Sequence, residues 1–226
     1  LLCATCHSAT PTLPAHVDGA TLARKNYDSP EHHRHAPGTE GSRCVDCHMP
    51  ARTYMGVDER RDHGFRVPRP DLAARMASPD PCASCHDEGA EWAAAKVREW
   101  FGPKRAPEPF GVALAAGRAG TAGAADALLA LVASQEPALV RASALELLTR
   151  YPGQSALEAF VRGTRDPDGL VRHAALGGLE GLTGEQRLPF VGPLLSDPLR
   201  AVRSQAARLL FELPAGTLGP FAPAFE

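Results

Sequence analysis

The sequence predicts a mainly α-helical chain with two unlike domains, an irregular N-terminal domain of short helices and a C-terminal solenoid of helical repeats. All six cysteines, all three methionines and eight of the nine histidines precede residue 110. After that point a helical pattern recurs at a fixed interval. We place the domains at residues 1–102 and 111–226, joined by a stiff, proline-rich linker at residues 103–110.

The six cysteines fall in three pentapeptides: Cys3-Ala-Thr-Cys6-His7, Cys44-Val-Asp-Cys47-His48 and Cys82-Ala-Ser-Cys85-His86. Each has the form Cys-x-x-Cys-His, the attachment motif of c-type haem, in which two thiols bind the vinyl groups and the histidine ligates the iron. Zinc sites, thioredoxin-like sites and disulfide frameworks do not require that histidine. We expect three covalently bound haem c groups, with His7, His48 and His86 as proximal iron ligands.

The first domain contains five further histidines, more than three irons need as sixth ligands: His16, His32, His33, His35 and His63. This surplus favours irons with imidazole on both sides, which have no open position for substrate and a lower potential than iron with a methionine ligand. We expect His63 to be a distal ligand, because Asp62 could hold its ring and Gly64 would let a haem approach closely.

The run His32-His33-Arg34-His35 could serve two haems, because neighbours in an extended segment point to opposite sides. We expect His33 and His35 to bind iron in preference to His32. His16 is a further alternative. Three methionines are other candidate axial ligands, although methionine more often fills a core: Met49, Met55 and Met76.

Ordinary core residues are scarce in the first domain, and a domain of this size would be marginal without the apolar surface of the haems. We therefore expect little strand, short helices at the three motifs, and irregular connections such as residues 65–70. Arg66 and Arg69 could pair with haem propionates or form a solvated basic face. Large apolar residues at helical spacing predict an amphipathic helix before the linker: Trp92, Val97, Trp100 and Phe101.

The second domain repeats every 31 residues, because this interval separates the aligned arginines Arg141, Arg172 and Arg203. The register is kept by arginines, alanines and leucines: Arg141, Arg172, Arg203, Ala144, Ala175, Ala206, Leu148, Leu179 and Leu210. The pattern predicts helix pairs with a proline-started first helix, small residues at close crossings and buried leucines. Residues 111–133 resemble a degenerate first unit. The pattern resembles HEAT repeats, which usually offer an extended surface to a partner.

Two polar features of the repeats remain open to interpretation. His173 aligns with Ala142 and Ser204, which favours an exposed histidine without a special role. The aligned arginines predict either a ladder of interaction residues or a structural role, in which they bond loop carbonyls between repeats.

The first domain resembles bacterial multihaem cytochromes c fused to HEAT or tetratricopeptide repeats. The resemblance covers about residues 1–102 and rests on the stretches at 27–35, 44–50 and 53–72; Cys-x-x-Cys-His-Met-Pro is also similar to a motif of the pentahaem nitrite reductase group. It implies a secreted electron carrier, with His63 and the cluster from His32 to His35 as distal ligands. Family members usually carry further haem motifs upstream, so we expect either a fragment of a longer protein or axial ligands from outside the chain.

Composition narrows the function. Lysine plus arginine number 24 against 26 acidic residues, no basic patch indicates nucleic acid, and no apolar run is long enough to span a bilayer. Because haem c is attached after export, we expect a periplasmic or extracellular location. We predict electron transport rather than catalysis, with the repeats docking a redox protein, another haem-bearing chain or another copy.

Two other functions stay open. A haem enzyme of the nitrite or hydroxylamine type, alone or as a subunit of a larger respiratory redox complex, needs one open iron, often with a substituted proximal ligand. All three motifs here end in histidine. A binding or sensory module built on the repeats is the third interpretation.

Overall fold

The computed structural model describes residues 2–20, 22–103 and 108–225. The chain divides into two compact units, Leu1–Arg105 and Ala106–Glu226. Residues 104–107 of the expected linker lie outside the described residues. Within the described ranges, no helix has the length and apolar character needed to cross a membrane.

The first unit consists of short helices with long connections. In chain order these are α1 (Leu2–Cys6), α2 (Pro30–His33), α3 (Cys44–His48), α4 (Pro70–Met76), a 3₁₀ helix (Pro81–Ser84) and α5 (Gly89–Phe101). Each haem motif forms one helical turn, closed in the first and third by the histidine N–H donating to the carbonyl of the first cysteine. Few apolar side chains are buried among the described residues of this unit, Leu72 and Ala93 among them.

One hairpin interrupts the helices of the first unit. Strands β1 (Ala51–Tyr54) and β2 (Asp58–Arg61) are antiparallel, with Ala51 opposite Arg61 and Tyr54 opposite Asp58. Val57 N–H donates to the Tyr54 carbonyl at 3.1 Å, which closes a tight turn. The hairpin follows directly on the second haem motif and ends beside His63.

The second unit is a stack of helices. They are α6 (Phe110–Ala119), α7 (Ala124–Val132), α8 (Ala138–Leu148), α9 (Gln154–Gly163), α10 (Gly169–Gly177), α11 (Gly184–Val191), a 3₁₀ helix (Gly192–Ser196), α12 (Arg200–Leu210), two 3₁₀ turns (Ala215–Thr217 and Gly219–Phe221) and α13 (Ala222–Phe225). Helices α6 and α7 cover the stretch predicted as a degenerate first unit. The mainly α-helical fold class is confirmed.

The aligned alanines and leucines of the repeats lie in one core and have no exposed surface: Ala144, Ala175, Ala206, Leu148, Leu179 and Leu210. The prediction of proline-started helices needs a correction, because the prolines precede the helices. Pro137 is the N-cap of α8 in an extended conformation, which suits the residue before a helix. In α10 the capping is done by Asp168, whose carboxylate accepts the Leu170 N–H at 2.8 Å.

The aligned arginines join consecutive repeats. Arg172 donates from Nε and Nη2 to the two carboxylate oxygens of Asp197, at 2.6 and 3.0 Å, and from Nη1 to the backbone carbonyl of Asp166 at 2.8 Å. Arg141 pairs with the Asp166 carboxylate, and Arg203 bonds the Asp197 carbonyl at 2.8 Å. These contacts support the structural interpretation of the arginines. His173, on α10, is exposed.

Candidate functional site

The three Cys-x-x-Cys-His motifs lie side by side in the first unit. Cys3 is close enough to Cys44 to influence its thiol, and Cys47 lies near Cys82 and Cys85. All six cysteines belong to the described residues and carry free thiols. The second motif therefore sits between the first and the third.

Three of the six cysteine thiols have a raised pKa, those of Cys44, Cys47 and Cys82. Burial raises the pKa of the Cys47 thiol, and burial together with the Asp80 carboxylate raises the pKa of Cys82 to about 12. Such thiols stay protonated at neutral pH, whereas catalytic and redox-active cysteines have a lowered pKa. The thiols of Cys44, Cys47 and Cys82 therefore lack the lowered pKa of a thioredoxin-like site.

Two histidines of the motifs each face another histidine, one from α2 and one from the residues just after it. The rings of His32 and His48 are parallel to within 2°, with centroids 6.3 Å apart. The rings of His35 and His86 have centroids 6.1 Å apart at an angle of 50°. Two metal–nitrogen bonds of about 2 Å on opposite sides of one metal ion would place ring centroids roughly 6 Å apart. Both pairs have the spacing of two imidazoles on one iron.

Hydrogen bonds fix which nitrogen these rings can offer to a metal. His48 donates from Nδ1 to the Arg66 carbonyl at 2.8 Å, and Arg66 N–H donates back to the His48 carbonyl at 3.2 Å. His35 donates from Nδ1 to the His33 carbonyl. A carbonyl only accepts, so Nδ1 carries the proton and Nε2 is left for the iron.

His32 has a buried ring nitrogen with unused bonding capacity. Its Nδ1 has no hydrogen-bond partner in the described part of the chain. Burial, helped by the charge of Lys25, lowers the pKa of His32. A neutral imidazole is the form that binds metal, and an unpaired buried nitrogen is costly unless something satisfies it.

Gly41 leaves space at the ring of His35. Its φ is +81°, and a Cβ at this position would lie 2.7 Å from Nε2 of His35. The same Cβ would lie 2.8 Å from Cδ2 and 3.0 Å from Cε1, so a larger residue would press on the face of the ring. The unpaired nitrogen of His32 and the two cysteines of each motif fit haem c.

Arg61 fixes the second motif to the hairpin. Its Nη1 donates to the carbonyls of Val45 and Met49 at 3.1 Å each, and its Nη2 donates to the Asp46 carboxylate at 3.2 Å. The Val45 carbonyl, which also accepts the Met49 N–H at 3.0 Å, lies within α3, and the Met49 carbonyl lies just after it. The bonds hold His48 in place relative to β2.

The first and third motif histidines have aromatic neighbours. The His86 ring lies 4.8 Å from Trp92 at the start of α5, and its Nδ1 is 3.8 Å from the Glu88 carboxylate. The His7 ring meets Tyr27 edge-on at 5.8 Å. The predicted amphipathic helix thus contributes an aromatic side chain to the third site.

The other predicted distal ligands are placed differently. His33 accepts the His35 N–H at its Nδ1, at 3.2 Å, and its ring lies 6.5 Å from that of His35. His63 is exposed and donates from Nδ1 to the Arg61 carbonyl at 2.9 Å. His16 is exposed, and Met55, at the hairpin tip, is 82% exposed.

Two expected supporting roles are not found. The Asp62 carboxylate accepts the Gly64 N–H at 2.8 Å and pairs with Arg66, so it does not hold the His63 ring. Arg69 forms a bidentate ion pair with Asp71. Both arginines proposed for propionates are therefore paired with nearby carboxylates.

Sequence reasoning missed Gly41 and Arg61 as supports of the site. Neither position carries a motif, although a glycine a few residues before a haem cysteine is a usable signal for close packing. It also treated residues 32–35 as extended. The structure instead ends α2 at His33, so the alternation on which the choice of His33 depended does not exist.

Comparison with known proteins gives two matches. Residues 27–101 match the family model of cytochrome c552, and residues 125–211 match the model of HEAT repeats. No curated protein and no solved structure matches the chain. The cytochrome c552 family is associated with nitrite reductase, a haem enzyme. The prediction that this chain is an electron carrier and not an enzyme is therefore wrong.

Proposed function

We propose that this chain relays electrons through three haems in a redox enzyme of the nitrite or hydroxylamine class. The chain joins a c-type cytochrome module with covalent haem c to a scaffold of HEAT repeats. The observation that carries the proposal is the parallel arrangement of His32 and His48 at 6.3 Å. An iron held by two imidazoles has no open position and a low potential, and it is suited to carry electrons.

We assign the axial ligands from the facing rings. His32 is the distal ligand at the iron of His48, and His35 is the distal ligand at the iron of His86. Both motif histidines come from short helical turns whose cysteines hold the macrocycle. The adjacent motifs support electron exchange between neighbouring haems.

His63 is the proposed distal ligand at the remaining iron, that of His7 in the first motif. Its Nδ1 is bonded to a carbonyl, as in His35 and His48, which leaves Nε2 for metal. His16 is the alternative. His33 is the weakest of the expected ligands, because its Nδ1 is engaged by the backbone of His35.

A second candidate function is reduction of a small nitrogen compound at the haem of the first motif. The observation favouring it is that the His7 ring has Tyr27 as its ring neighbour among the described residues, whereas His48 and His86 each face an imidazole. The Tyr27 hydroxyl donates to the Ala23 carbonyl at 3.0 Å, and in this candidate function it would donate to a bound oxyanion instead. Carbon monoxide binding to the unmodified, reduced protein distinguishes an open first haem from one closed by His63. Binding at one iron supports the substrate site, and no binding supports His63 as a ligand.

Location and partners follow from the same chemistry. Attachment of haem c takes place after export, which supports a periplasmic or extracellular protein. The HEAT repeats would hold a redox protein, another haem-bearing chain or another copy of this one, since such solenoids offer extended binding surfaces.

The proposal is tested by haem content. Pyridine haemochrome quantitation together with intact mass should show three haems per chain. Electron paramagnetic resonance should show at least two low-spin ferric irons. A count of two or fewer haems, or a metal other than iron, would refute the proposal.

A further inference from the structure

We propose that Arg34 is a positioning residue that holds the distal sides of two haem sites at once. The proposal rests on the proposed function, because it takes His32 and His35 as distal ligands. Both belong to the six-residue segment 30–35, so one anchor on this segment acts on both.

The backbone of the segment places the two histidines toward different motifs. Helix α2 has only four residues, and its C-cap is Arg34, which has φ 63° and ψ 20° and donates its N–H to the Pro30 carbonyl at 3.0 Å. This left-handed conformation is unfavourable for a residue with a Cβ. It turns the chain between the two ligands, so that His32 faces the second motif and His35 the third.

The side chain of Arg34 secures this turn against α5. Its guanidinium carbon lies 6.0 Å from the ring centroid of Trp100 and 6.0 Å from that of Phe101. The Phe101 ring also lies 6.1 Å from the ring of His32. A cation over two aromatic rings is attracted to their faces, which compensates for the strained backbone.

Movement of the segment must affect both ligands. His33 and His35 are tied by reciprocal bonds, His35 N–H to the His33 ring and the His35 ring to the His33 carbonyl. His32 lies in the same short helix. Loss of the Arg34 contact should therefore loosen His32 and His35 together, and not one alone.

The test uses the full haem-loaded chain with Arg34→Gln, which removes the cation and keeps a side chain at the left-handed position. Arg98→Gln, on the exposed side of α5, is the matched control. We expect the fraction of molecules with a detached segment to rise about two- to fivefold, as for loss of a cation–π contact at an exposed site. This fraction is measured by carbon monoxide binding to the reduced protein and by the high-spin ferric signal, and both should increase at two irons together.

A conservative change separates positioning from simple loss of stability. Arg34→Lys keeps the cation and should restore most of the low-spin signal, while all variants keep the same haem content. Spectra of Arg34→Gln equal to those of the parent would overturn the proposal, as would opening of a single iron. If His32→Ala and His35→Ala also leave the spectra unchanged, the proposed function itself fails at these two sites.

Discussion

The imidazole rings of His32 and His48 lie parallel with their centroids 6.3 Å apart, although the two residues belong to different short helices. This spacing matches that of two imidazoles bound to one metal ion. Nδ1 of His48 is used by the Arg66 carbonyl, so the metal-binding nitrogen of this ring is determined. The two histidines are the proposed axial ligands of the second haem.

His32→Ala should open the iron of the second motif. We expect a high-spin ferric signal from one haem and carbon monoxide binding after reduction, because no second imidazole then reaches that iron. The measurement is electron paramagnetic resonance with carbon monoxide titration. His33→Ala is the matched control and should leave the second iron six-coordinate; the reverse result would assign that iron to His33.

Gly41→Ala should disturb the third motif. A Cβ would lie 2.7 Å from Nε2 of His35 and would push the ring from its position. One iron should lose low-spin character. Gly38→Ala is the control, because Gly38 has the same kind of backbone, φ +80°, with nothing within 4 Å of its Cβ. Equal spectra for the two variants would show that backbone strain, and not contact with His35, causes the effect.

His63→Ala should open the iron of the first motif. Its exposed ring has a free Nε2, and His7 needs a sixth ligand in the relay. Carbon monoxide binding at one iron of the reduced variant, absent from the parent, is the expected outcome. Unchanged electron paramagnetic resonance spectra would mean that His63 is only part of its loop.

Arg172→Ala should destabilise the repeats by about 3 kcal/mol, because it leaves the Asp197 carboxylate buried without its partner. Arg208→Ala removes an exposed pair with Glu180 and should cost less than about 1 kcal/mol. Denaturant unfolding followed by far-UV circular dichroism measures both. Similar losses in the free energy of unfolding for the two variants would show that the pair of Arg172 and Asp197 stabilises the repeats no more than an exposed ion pair.

Acid should weaken the repeats through the same pair. The hydrogen bond from Arg172 lowers the pKa of Asp197 in the folded state. This stabilisation is therefore complete above the unfolded-state pKa of about 4 and is lost as the pH falls through the lower folded-state value. Asp197→Asn should reduce stability at neutral pH and flatten its dependence on pH below about 4. A parent-like acid profile in that variant would contradict the assignment.

Sequence spacing predicted those parts of the molecule in which spacing itself determines structure. Cys-x-x-Cys-His fixes one helical turn, and the 31-residue interval from Arg141 to Arg172 fixes the packing of Ala144 and Leu148 in the core. These features depend on neighbours along the chain or on strict repetition.

The choice among neighbouring histidines could not be made from the sequence. It depends on the left-handed conformation of Arg34, which few residues other than glycine adopt and which no motif marks. The support of His63 was also misjudged, because Asp62 uses its carboxylate to close its own turn at Gly64. In both places a single backbone angle decides the direction of a side chain.

A structure of the haem-loaded chain that shows the iron ligands tests the central claim most directly. The account predicts a haem at each motif, with the second iron between His48 and His32 and the third between His86 and His35. A second iron with any residue other than His32 opposite His48, or a motif without attached haem, would contradict it.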